Sequence, residues 1–442
     1  RSARQIDALD EVAREIENVR AAWRWAVAQA QVQELRQAAN SLSAYYQVRS
    51  LFQEGEEAFG EAALALEAAR EQNRTEELER TLGFLWAYQG WFADWLYDQE
   101  QAHALLQRSI DLLSPLSMGE ELAGAYLMSV NAGLVQDVSQ AEQRLWESHD
   151  YFQSVGSLSG MGLALYQLIL VAQLRGDLAA AKGYLQEAIA NLTQAGHRWG
   201  IATALFSLGS LIQHQEGQRA EAKHYYEESL KIRRELGDRW GTSICLDYIG
   251  FLAREMGHYD ESRQFHEESL AISRQSGDQL GVAGSLDNLG LVARDEGDFA
   301  EAQRLFEEGL VLRRQVGRMW DVAISMRHMG DAALGQGDLS GAAQWYGDSL
   351  QTARGSWEKW GSELQLTGLA EVALQRGDME ASRQYLREAL QICAENRMLS
   401  NSLRALVGVA RFLVESERRE VAAGLLAYVQ QHYASTAQAQ DR

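Results

Sequence analysis

The sequence predicts an all-α protein built as a solenoid of helical hairpins, and three observations support this prediction. A pattern of about 40 residues recurs along the chain, with units that begin at Gly156, Gly196, Gly237, Gly277, Gly317 and Trp357. The apolar residues within each unit follow a helical period. The chain also has 1 proline among 442 residues, Pro115, and is rich in helix-forming residues, which is typical of a nearly all-helical protein.

The unit that begins at Gly277 illustrates the predicted hairpin. Val282, Leu286 and Leu289 recur at three and four residues, which predicts a first helix that ends near Glu296. The pair Gly297-Asp298 then supplies a glycine that stops one helix and an aspartate that caps the next. The buried stripe of the second helix is predicted to contain Ala302, Leu305, Phe306, Leu310 and Leu312. Each unit is therefore predicted to be a pair of helices.

Small residues recur at fixed places in both helices of the unit. The first helices carry Gly209, Gly250, Gly290, Gly330 and Ala370 at equivalent positions, and the second helices carry Ala181, Ala222, Ser262, Ala302, Ala342 and Ser382. A glycine inside a helix costs about 1 kcal/mol relative to alanine. We therefore expect a close approach of two backbones at these glycines. Large side chains are expected to fill the space beside that approach, namely Tyr226, Phe265, Phe306, Tyr346 and Tyr385.

Charge and composition exclude several kinds of partner. The chain has 62 acidic and 41 basic side chains and a formal net charge of −21, so we expect it to bind neither nucleic acid nor a membrane surface. No signal-peptide pattern and no apolar run of roughly 20 residues occurs, which predicts a cytoplasmic location. Cys245 and Cys393 are far apart, so neither a disulfide framework nor a CxxC metal site is expected.

The sequence contains none of the usual catalytic motifs. It has no HExxH, no GxSxG and no GxxxxGK[ST] phosphate loop, and its 9 histidines are scattered. Adjacent glutamates such as Glu307 and Glu308 point in different directions on a helix and do not converge on one substrate atom. We therefore predict no enzyme activity, no metal site and no cofactor.

The order of residues within the unit resembles the tetratricopeptide repeat (TPR). The shared features are a large residue, a glycine, an aliphatic residue, Gly-Asp, a small residue and an aromatic residue, here in a version of about 40 rather than ~34 residues. HEAT and armadillo repeats have similar lengths, but their pattern of small residues is less similar. The resemblance implies a right-handed α-solenoid of about ten TPR hairpins.

The regularity of the repeat divides the chain into five predicted segments. They are an N-terminal connecting helix over residues 1–29, divergent TPR hairpins over 30–155, regular hairpins over 156–396, a terminal hairpin over 397–433 and a frayed tail over 434–442. Because the chain begins at Arg1 rather than Met, we expect that it was cut from a longer protein with an additional upstream region.

A narrower resemblance concerns the N-terminal segment and the amino-acid pattern of the repeats. The stretch EIENVRAAWRWAVAQ, from Glu15 to Gln29, is similar to the segment that joins the nucleotide-binding portion of STAND-type regulatory ATPases to their TPR sensor. Repeats such as GDRWGTSICLDYIG are also common in those sensors. The resemblance implies a sensor that binds a protein, a peptide or a small molecule and contacts an upstream nucleotide-binding region. The alternative is a constitutive TPR adaptor or scaffold that joins proteins without a switch.

TPR proteins line the concave face of the superhelix chiefly with the first helix of each hairpin, which implies where a ligand would bind here. Counted from the glycine mark, the inward positions lie two, three and six residues before it and one, four and five after it. The predicted ligand-binding residues at these positions are Tyr166, Gln167, Phe206, Gln213, Asp247, Tyr248, Phe251, Arg254, Asp287, Asn288, Arg294, Arg327, His328 and Asp331.

Two interpretations of this residue set stay open. Aromatic faces combined with arginine and asparagine donors suit an extended peptide, a protein segment or a polar small molecule. Asn288 also falls where peptide-binding TPRs often place an asparagine that holds the ligand backbone. Alternatively, charged residues such as Asp287, Arg294 and Asp331 neutralise one another between neighbouring hairpins and bind no ligand.

Overall fold

The structure is a computed structural model that describes residues 2–133, 137–213, 218–356, 362–395 and 399–439. Within these ranges the chain forms 22 α-helices and no strand, which confirms the predicted all-α class. Trp357, the predicted start of the sixth unit, lies outside the described residues.

Contacts divide the chain into two compact units. The first unit contains residues 1–212 and 224–241, and the second contains residues 213–223 and 242–442. The first eleven helices are α1 (Ser2–Arg14), α2 (Ile16–Ala28), α3 (Val32–Val48), α4 (Phe52–Gln72), α5 (Glu76–Trp95), α6 (Gln99–Leu113), α7 (Glu120–Gly133), α8 (Val138–Ser154), α9 (Leu158–Leu174), α10 (Leu178–Ala195) and α11 (Arg198–Ile212).

The remaining helices continue the same alternation. They are α12 (Arg219–Leu236), α13 (Arg239–Glu255), α14 (Tyr259–Ser276), α15 (Gln279–Asp295), α16 (Phe299–Val316), α17 (Met319–Gly335), α18 (Leu339–Ser356), α19 (Ser362–Gln375), α20 (Met379–Glu395), α21 (Leu399–Glu415) and α22 (Arg419–Ala439). Helices α12 and α13 contribute residues to both units. The last helix continues beyond residue 434, where the frayed tail was predicted to begin.

Consecutive helices pack in pairs, which is the arrangement of TPR hairpins. In the second unit α15 packs against α16, α17 against α18, α19 against α20 and α21 against α22. The first helices of successive hairpins also contact one another, because α17 packs against both α15 and α19, and α19 packs against α21. The first helices of four hairpins therefore lie side by side and form one surface within the second unit.

The turn inside several hairpins is built as the sequence predicts. Gly297 adopts a φ of +85°, a conformation that glycine reaches without a steric penalty. The carboxylate of Asp298 then accepts a hydrogen bond from the backbone N–H of Glu301 at 3.0 Å, which caps the N-terminus of α16. The same pair recurs as Gly377-Asp378 before α20, where Asp378 accepts from the N–H of Ala381 at 3.0 Å.

The recurrent glycines of the first helices accommodate aromatic rings, which corrects the expectation of a backbone approach. A Cβ atom placed on Gly290 would lie 2.5 Å from the ring of Phe306, and one on Gly330 would lie 2.7 Å from the ring of Tyr346. The Tyr346 ring also covers Gly368 of the next hairpin, where a Cβ would lie 2.5 Å away. The glycines are needed because a ring from the second helix lies directly on the helix surface.

The structure also corrects which large residues fill this position. On Gly250 the covering ring belongs to His266, which is buried, whereas the neighbouring Phe265 is half-buried. In the last regular hairpin Leu386 is buried and Tyr385 is half-buried. The prediction relied on aromatic character, whereas the position within the repeat decides which residue is buried. Its neighbour occupies the interior position in both cases.

The N-terminal region departs from the expectation that it forms one connecting helix. Residues 1–29 contain two helices, α1 and α2, which meet at Glu15. Beyond them, the junction of α3 and α4 contacts the start of α13 inside the first unit. Ser50 accepts a hydrogen bond from the backbone N–H of Trp240 at 3.0 Å and donates to Asp238 at 3.2 Å. Hairpins distant in sequence therefore touch in this unit, so its contacts are not limited to neighbouring hairpins.

Candidate ligand-binding face

The half-buried and exposed residues of the first helices in the second unit form one continuous stripe. On each helix they recur every three or four residues, so they lie on the side that the second helices leave uncovered. We call this surface the first-helix face. It comprises Tyr248, Phe251 and Arg254 of α13, Asn288, Leu291 and Arg294 of α15, Ile324, Arg327 and Asp331 of α17, Leu364, Thr367 and Glu371 of α19, and Arg404, Val407 and Arg411 of α21.

A cleft of about 390 Å³ opens on this face between α15, α17, α19 and α21. This volume falls in the range of small-molecule sites, roughly 300–1,000 Å³. Its charged lining consists of Arg294, Arg327, Asp331, Glu371, Arg404 and Arg411. Leu334, Leu364, Leu374, Leu386 and Val407 supply apolar surface. The cleft therefore combines an apolar floor with several convergent charged groups.

Asp331 connects the charged groups on one side of the cleft. One carboxylate oxygen accepts a hydrogen bond from the Tyr346 hydroxyl at 2.6 Å, and the other accepts from Arg327 at 3.0 Å and Arg294 at 3.4 Å. Burial and the charge of Asp331 raise the pKa of Tyr346, so this hydroxyl stays a neutral donor. Arg294 also donates to Asp295 at 2.7 Å. The two guanidinium groups are thus held in place by carboxylates from their own or the next hairpin.

Further along the face, the predicted residues of α13 contact one another. The guanidinium carbon of Arg254 lies 5.5 Å from the centre of the Phe251 ring. Arg254 also donates to Asp295 of α15 at 3.2 Å. Tyr248 is half-buried. Burial, and to a smaller extent the charge of Asp247, raise the pKa of its hydroxyl.

Asn288 occupies the centre of α15 on the first-helix face and is half-buried. Within the described part of the chain its side-chain amide has no hydrogen-bond partner, although it has two donors and an acceptor. An amide in this situation is available to bind the backbone of an extended ligand.

Asp247 belongs to a polar cluster between hairpins and is not an isolated side chain on the first-helix face. Its carboxylate lies 2.8 Å from Nδ1 of His266 and accepts hydrogen bonds from Ser269 at 2.9 Å and Ser285 at 3.2 Å. These partners come from α14 and α15, so the carboxylate joins two hairpins. The carboxylate of Asp247 is therefore used in contacts between hairpins, as the alternative interpretation expects, although its partners are two serines and a histidine rather than an arginine.

Asp287 and His328 lie beneath the first-helix face, which corrects the prediction that they line it. Asp287 is 3% exposed and His328 is 6% exposed. Asp287 pairs with Arg313 of α16 and accepts from Ser325 of α17 at 3.3 Å. Nδ1 of His328 lies 3.5 Å from the Asp287 carboxylate, and Nε2 lies 2.6 Å from Arg327. The two residues join α15, α16 and α17 inside the unit.

The protonation of this buried pair follows from its surroundings. Burial would raise the pKa of Asp287, but the hydrogen bond with His328 and the charge of Arg313 bring that pKa below its usual value. Burial and the charge of Arg327 lower the pKa of His328. A charged Asp287 beside a neutral His328 is therefore the expected state near neutral pH. In that state Nε2 of His328 accepts the hydrogen bond that Arg327 donates.

The remaining predicted residues have internal partners. In the first unit the Tyr166 hydroxyl accepts from Ser207 at 3.3 Å, Gln167 donates to the backbone carbonyl of Leu127 at 3.1 Å, and the ring of Phe206 lies 5.1 Å from that of Tyr226. Gln213, assigned to the second unit, is 7% exposed and has internal interactions. The prediction therefore combined residues of two units, and those of its residues that lie on the first-helix face all belong to the second unit.

Sequence reasoning missed three of the six charged residues of the cleft. Glu371, Arg404 and Arg411 were not predicted, although the spacing rule identifies them. Counting from Ala370, the rule gives Leu364, Thr367, Gly368, Glu371, Leu374 and Gln375, of which all but Gln375 line the cleft. Counting from Ala410 gives Arg404, Val407, Gly408, Arg411, Val414 and Glu415, of which the first four line the cleft. The register at Ala370 was known from the repeat, but the rule was not extended to the hairpins that carry alanine instead of the glycine mark.

Two further properties concern the described residues alone. None of the helices in these ranges is both long enough and apolar enough to cross a membrane. In the same ranges no three histidine, cysteine, aspartate or glutamate side chains are grouped so that they could hold a metal ion.

Comparison with family models identifies the repeat. Models described as tetratricopeptide repeat match residues 212–275, 241–315 and 281–355, and a second such model matches residues 366–396. No curated protein sequence matches the chain significantly.

Several solved structures share the fold. A Rap protein complexed with competence and sporulation factor is 15% identical, with a TM-score of 0.60 over 82% of this chain and 99% of that one. The apo form of the quorum sensor NprR from B. thuringiensis is 16% identical, with a TM-score of 0.53 over 78% of this chain and 97% of that one.

A STAND protein with a tetratricopeptide repeat sensor from Pyrococcus horikoshii is 13% identical. Its TM-score is 0.55 over 80% of this chain and 55% of that one. At these identities the similarity establishes the fold alone. Together with the family models, it shows an all-α fold of helical hairpins that contains tetratricopeptide repeats between residues 212 and 396.

Proposed function

We propose that the chain is the ligand-sensing region of a STAND-type regulatory ATPase and binds a peptide, a protein segment or a small molecule on its first-helix face. The observation that carries the ligand-binding part is the cleft between four first helices, with four arginines and two carboxylates at its wall. Supporting observations are the unpartnered amide of Asn288 among the described residues and the Phe251-Arg254 contact on the same face.

The STAND-type role is supported by the sequence from Glu15 to Gln29 and by the fold shared with the sensor of the Pyrococcus horikoshii protein. The Rap protein whose structure contains competence and sporulation factor and the quorum sensor NprR share the fold too, which favours a peptide or another small ligand. In this proposal the ligand changes the packing of neighbouring hairpins and thereby the contacts of the array with an ATPase region.

The switch sets a requirement on the ligand. Moving a two-state population from 1:99 to 99:1 takes about 5.5 kcal/mol of differential binding free energy. A single contact cannot supply this, so the ligand must touch several hairpins at once. The cleft meets this requirement because its lining comes from four of them.

A thermal-shift screen tests the proposal with fractions of host-cell extract separated by size into small-molecule, peptide and protein pools. We expect one pool to raise the melting temperature by mass action, and the Arg294→Ala, Arg327→Ala double variant to lose that increase without losing helicity. Arg383→Ala on α20 is the matched control, because Arg383 lies outside the cleft. An increase that survives the double variant unchanged would refute binding at this face.

The second candidate function is a constitutive adaptor, which the protein-binding nature of the fold supports equally well. The two candidates differ in what the ligand does in the full-length protein. A sensor changes its ATPase rate or assembly state when the ligand is added, whereas an adaptor binds its partners with no such change.

A further inference from the structure

The cleft on the first-helix face has an unusual charge for this protein. The chain carries a net charge of −21, yet the cleft brings together Arg294, Arg327, Arg404 and Arg411 against only two lining carboxylates, Asp331 and Glu371. Four guanidinium groups on neighbouring helices repel one another, and this repulsion falls when an anion lies between them. The site is therefore positive within an otherwise acidic chain.

The carboxylates of the cleft do not neutralise these arginines completely. Asp331 divides its two oxygens among Tyr346, Arg327 and Arg294, and Glu371 pairs with Arg411 at 3.2 Å. An arginine has five N–H donors. Arg294 uses three of them, one on Asp331 and two on Asp295, and Arg327 uses two, on Asp331 and His328, so each side chain keeps donors without a protein acceptor among the described residues. Arg404 has no ion pair with any residue that the structure describes.

The positions of the arginines are set before a ligand arrives. The Tyr346 ring is fixed between Gly330 and Gly368, and its hydroxyl holds Asp331, which in turn holds Arg294 and Arg327. Preorganised donors bind an anion with less loss of side-chain entropy than mobile ones. On the opposite side, Arg404 and Arg411 project from α21 with more exposure and can close on a bound group.

A neutral donor completes the lining. Ser382 of α20 is 1% exposed, and its hydroxyl has no hydrogen-bond partner within the described residues. It lies in the wall of the cleft. A hydroxyl that is buried without a hydrogen-bond partner costs free energy, and a hydrogen bond to a ligand oxygen in the cleft would offset that cost.

We propose that the ligand of this cleft is a small organic anion whose carboxylate or phosphate group is bound by Arg294, Arg327 and Arg404. The proposal rests on the proposed ligand-binding function and names the chemical class of its ligand. The planar guanidinium fork matches both oxyanions with paired N–H donors, and the apolar floor accommodates the carbon skeleton.

The test titrates the full chain with two anions and their neutral counterparts, glutarate with glutaramide and glucose 6-phosphate with glucose. Binding is measured by calorimetry and thermal shift at two salt concentrations. We expect at least one anion to bind and to raise the melting temperature, its neutral counterpart to do neither, and added salt to weaken binding. The arm that responds distinguishes a carboxylate from a phosphate.

Variants show whether binding occurs in this cleft. Arg327→Gln with Arg404→Gln should weaken the binding anion by about tenfold or more, as expected for lost charge-assisted hydrogen bonds. Arg404→Lys, which keeps the charge but loses the fork, should have an intermediate effect, and Arg383→Gln should have none. Circular dichroism confirms that each variant is folded.

Failure of both anions to bind, or binding that the double variant leaves unchanged, would overturn the proposal. Failure here is distinguishable from failure of the proposed function. If an extract fraction still stabilises the chain through Arg294 and Arg327 while neither anion binds, the first-helix face binds a ligand of another class. If no fraction does so, the ligand-binding function itself is wrong.

Discussion

The hydroxyl of Tyr346 donates a hydrogen bond to Asp331 at 2.6 Å, and this contact joins the packing of the hairpins to the cleft. The Tyr346 ring covers Gly330 and Gly368 of two successive first helices. The acceptor, Asp331, holds two arginines of the cleft. The same side chain that fixes the distance between hairpins therefore also positions the charged groups expected to meet the ligand.

Tyr346→Phe separates these two roles. The ring stays between its glycines, but Asp331 loses a donor, so we expect the free energy of unfolding to fall by about 0.5–1.5 kcal/mol. Arg294 and Arg327 also become less ordered, which should weaken ligand binding. Urea unfolding and the extract thermal-shift assay measure the two effects. Unchanged affinity in the variant would show that Tyr346 supports the fold without positioning the arginines.

Two glycines of α15 should respond in opposite ways to alanine. Gly290→Ala places a methyl group 2.5 Å from the Phe306 ring and should cost about 1–3 kcal/mol through overpacking. Gly284→Ala meets nothing within 4 Å and should stabilise the helix by roughly 0.5–1 kcal/mol. Denaturant midpoints of the two variants provide the comparison. Equal effects at both sites would contradict the packing role assigned to Gly290.

The buried pair of Asp287 and Arg313 should matter for stability. Asp287→Ala leaves the guanidinium of Arg313 without its carboxylate in a largely buried position, which typically costs about 3–5 kcal/mol. The exposed pair of Arg383 and Glu380 is the control, and its removal should cost no more than about 0.5 kcal/mol. Thermal unfolding of both variants tests the difference. A stable Asp287→Ala chain that loses only ligand binding would restore the original sequence prediction for this residue.

Stability should decrease on mild acidification because of His328. Its pKa is lowered in the folded state by burial and Arg327, whereas the unfolded chain titrates near the ordinary value of about 6.5. The unfolded state binds the proton first, so stability falls as the pH drops below about 6.5 towards the folded pKa. Asp287 and Asp331 act to raise the pKa of His328, but by less than burial and Arg327 lower it.

His197, in the first unit, has a pKa lowered by burial and contributes in the same direction. His328→Gln should therefore flatten only part of the dependence of the melting temperature on pH between neutral and mildly acidic conditions. A variant with the full wild-type pH dependence would exclude His328 as one of its sources.

The repeat made most of the fold predictable. The pair Gly297-Asp298 marks the hairpin turn by chemistry that depends on two adjacent residues alone, so its conformation follows from the sequence. The group that contacts Gly290 could not be predicted from the sequence, because the packing of the two helices decides whether it is a backbone or the Phe306 ring. The contact of Ser50 with Asp238 joins residues far apart in sequence, and no periodic pattern indicates it.

The sequence predicted which helix face carries the candidate site better than it predicted which residues of that face are accessible. The spacing rule put Arg294, Arg327 and Asp331 on one face, and all three line the cleft, because helical periodicity decides which side of a helix a residue occupies. Their role in ligand binding stays a prediction. It failed for Asp287 because the boundary between face and interior depends on Arg313, a partner from the second helix. A buried carboxylate and a ligand-binding one look alike in the sequence when the partner is unknown.

The most direct test of the first-helix face is hydrogen–deuterium exchange of the chain with and without the extract fraction that raises its melting temperature. The proposal predicts that ligand slows exchange in α15, α17, α19 and α21, the helices that line the cleft. Slowed exchange confined to the second helices α16, α18 and α20, or to the first unit alone, would contradict it.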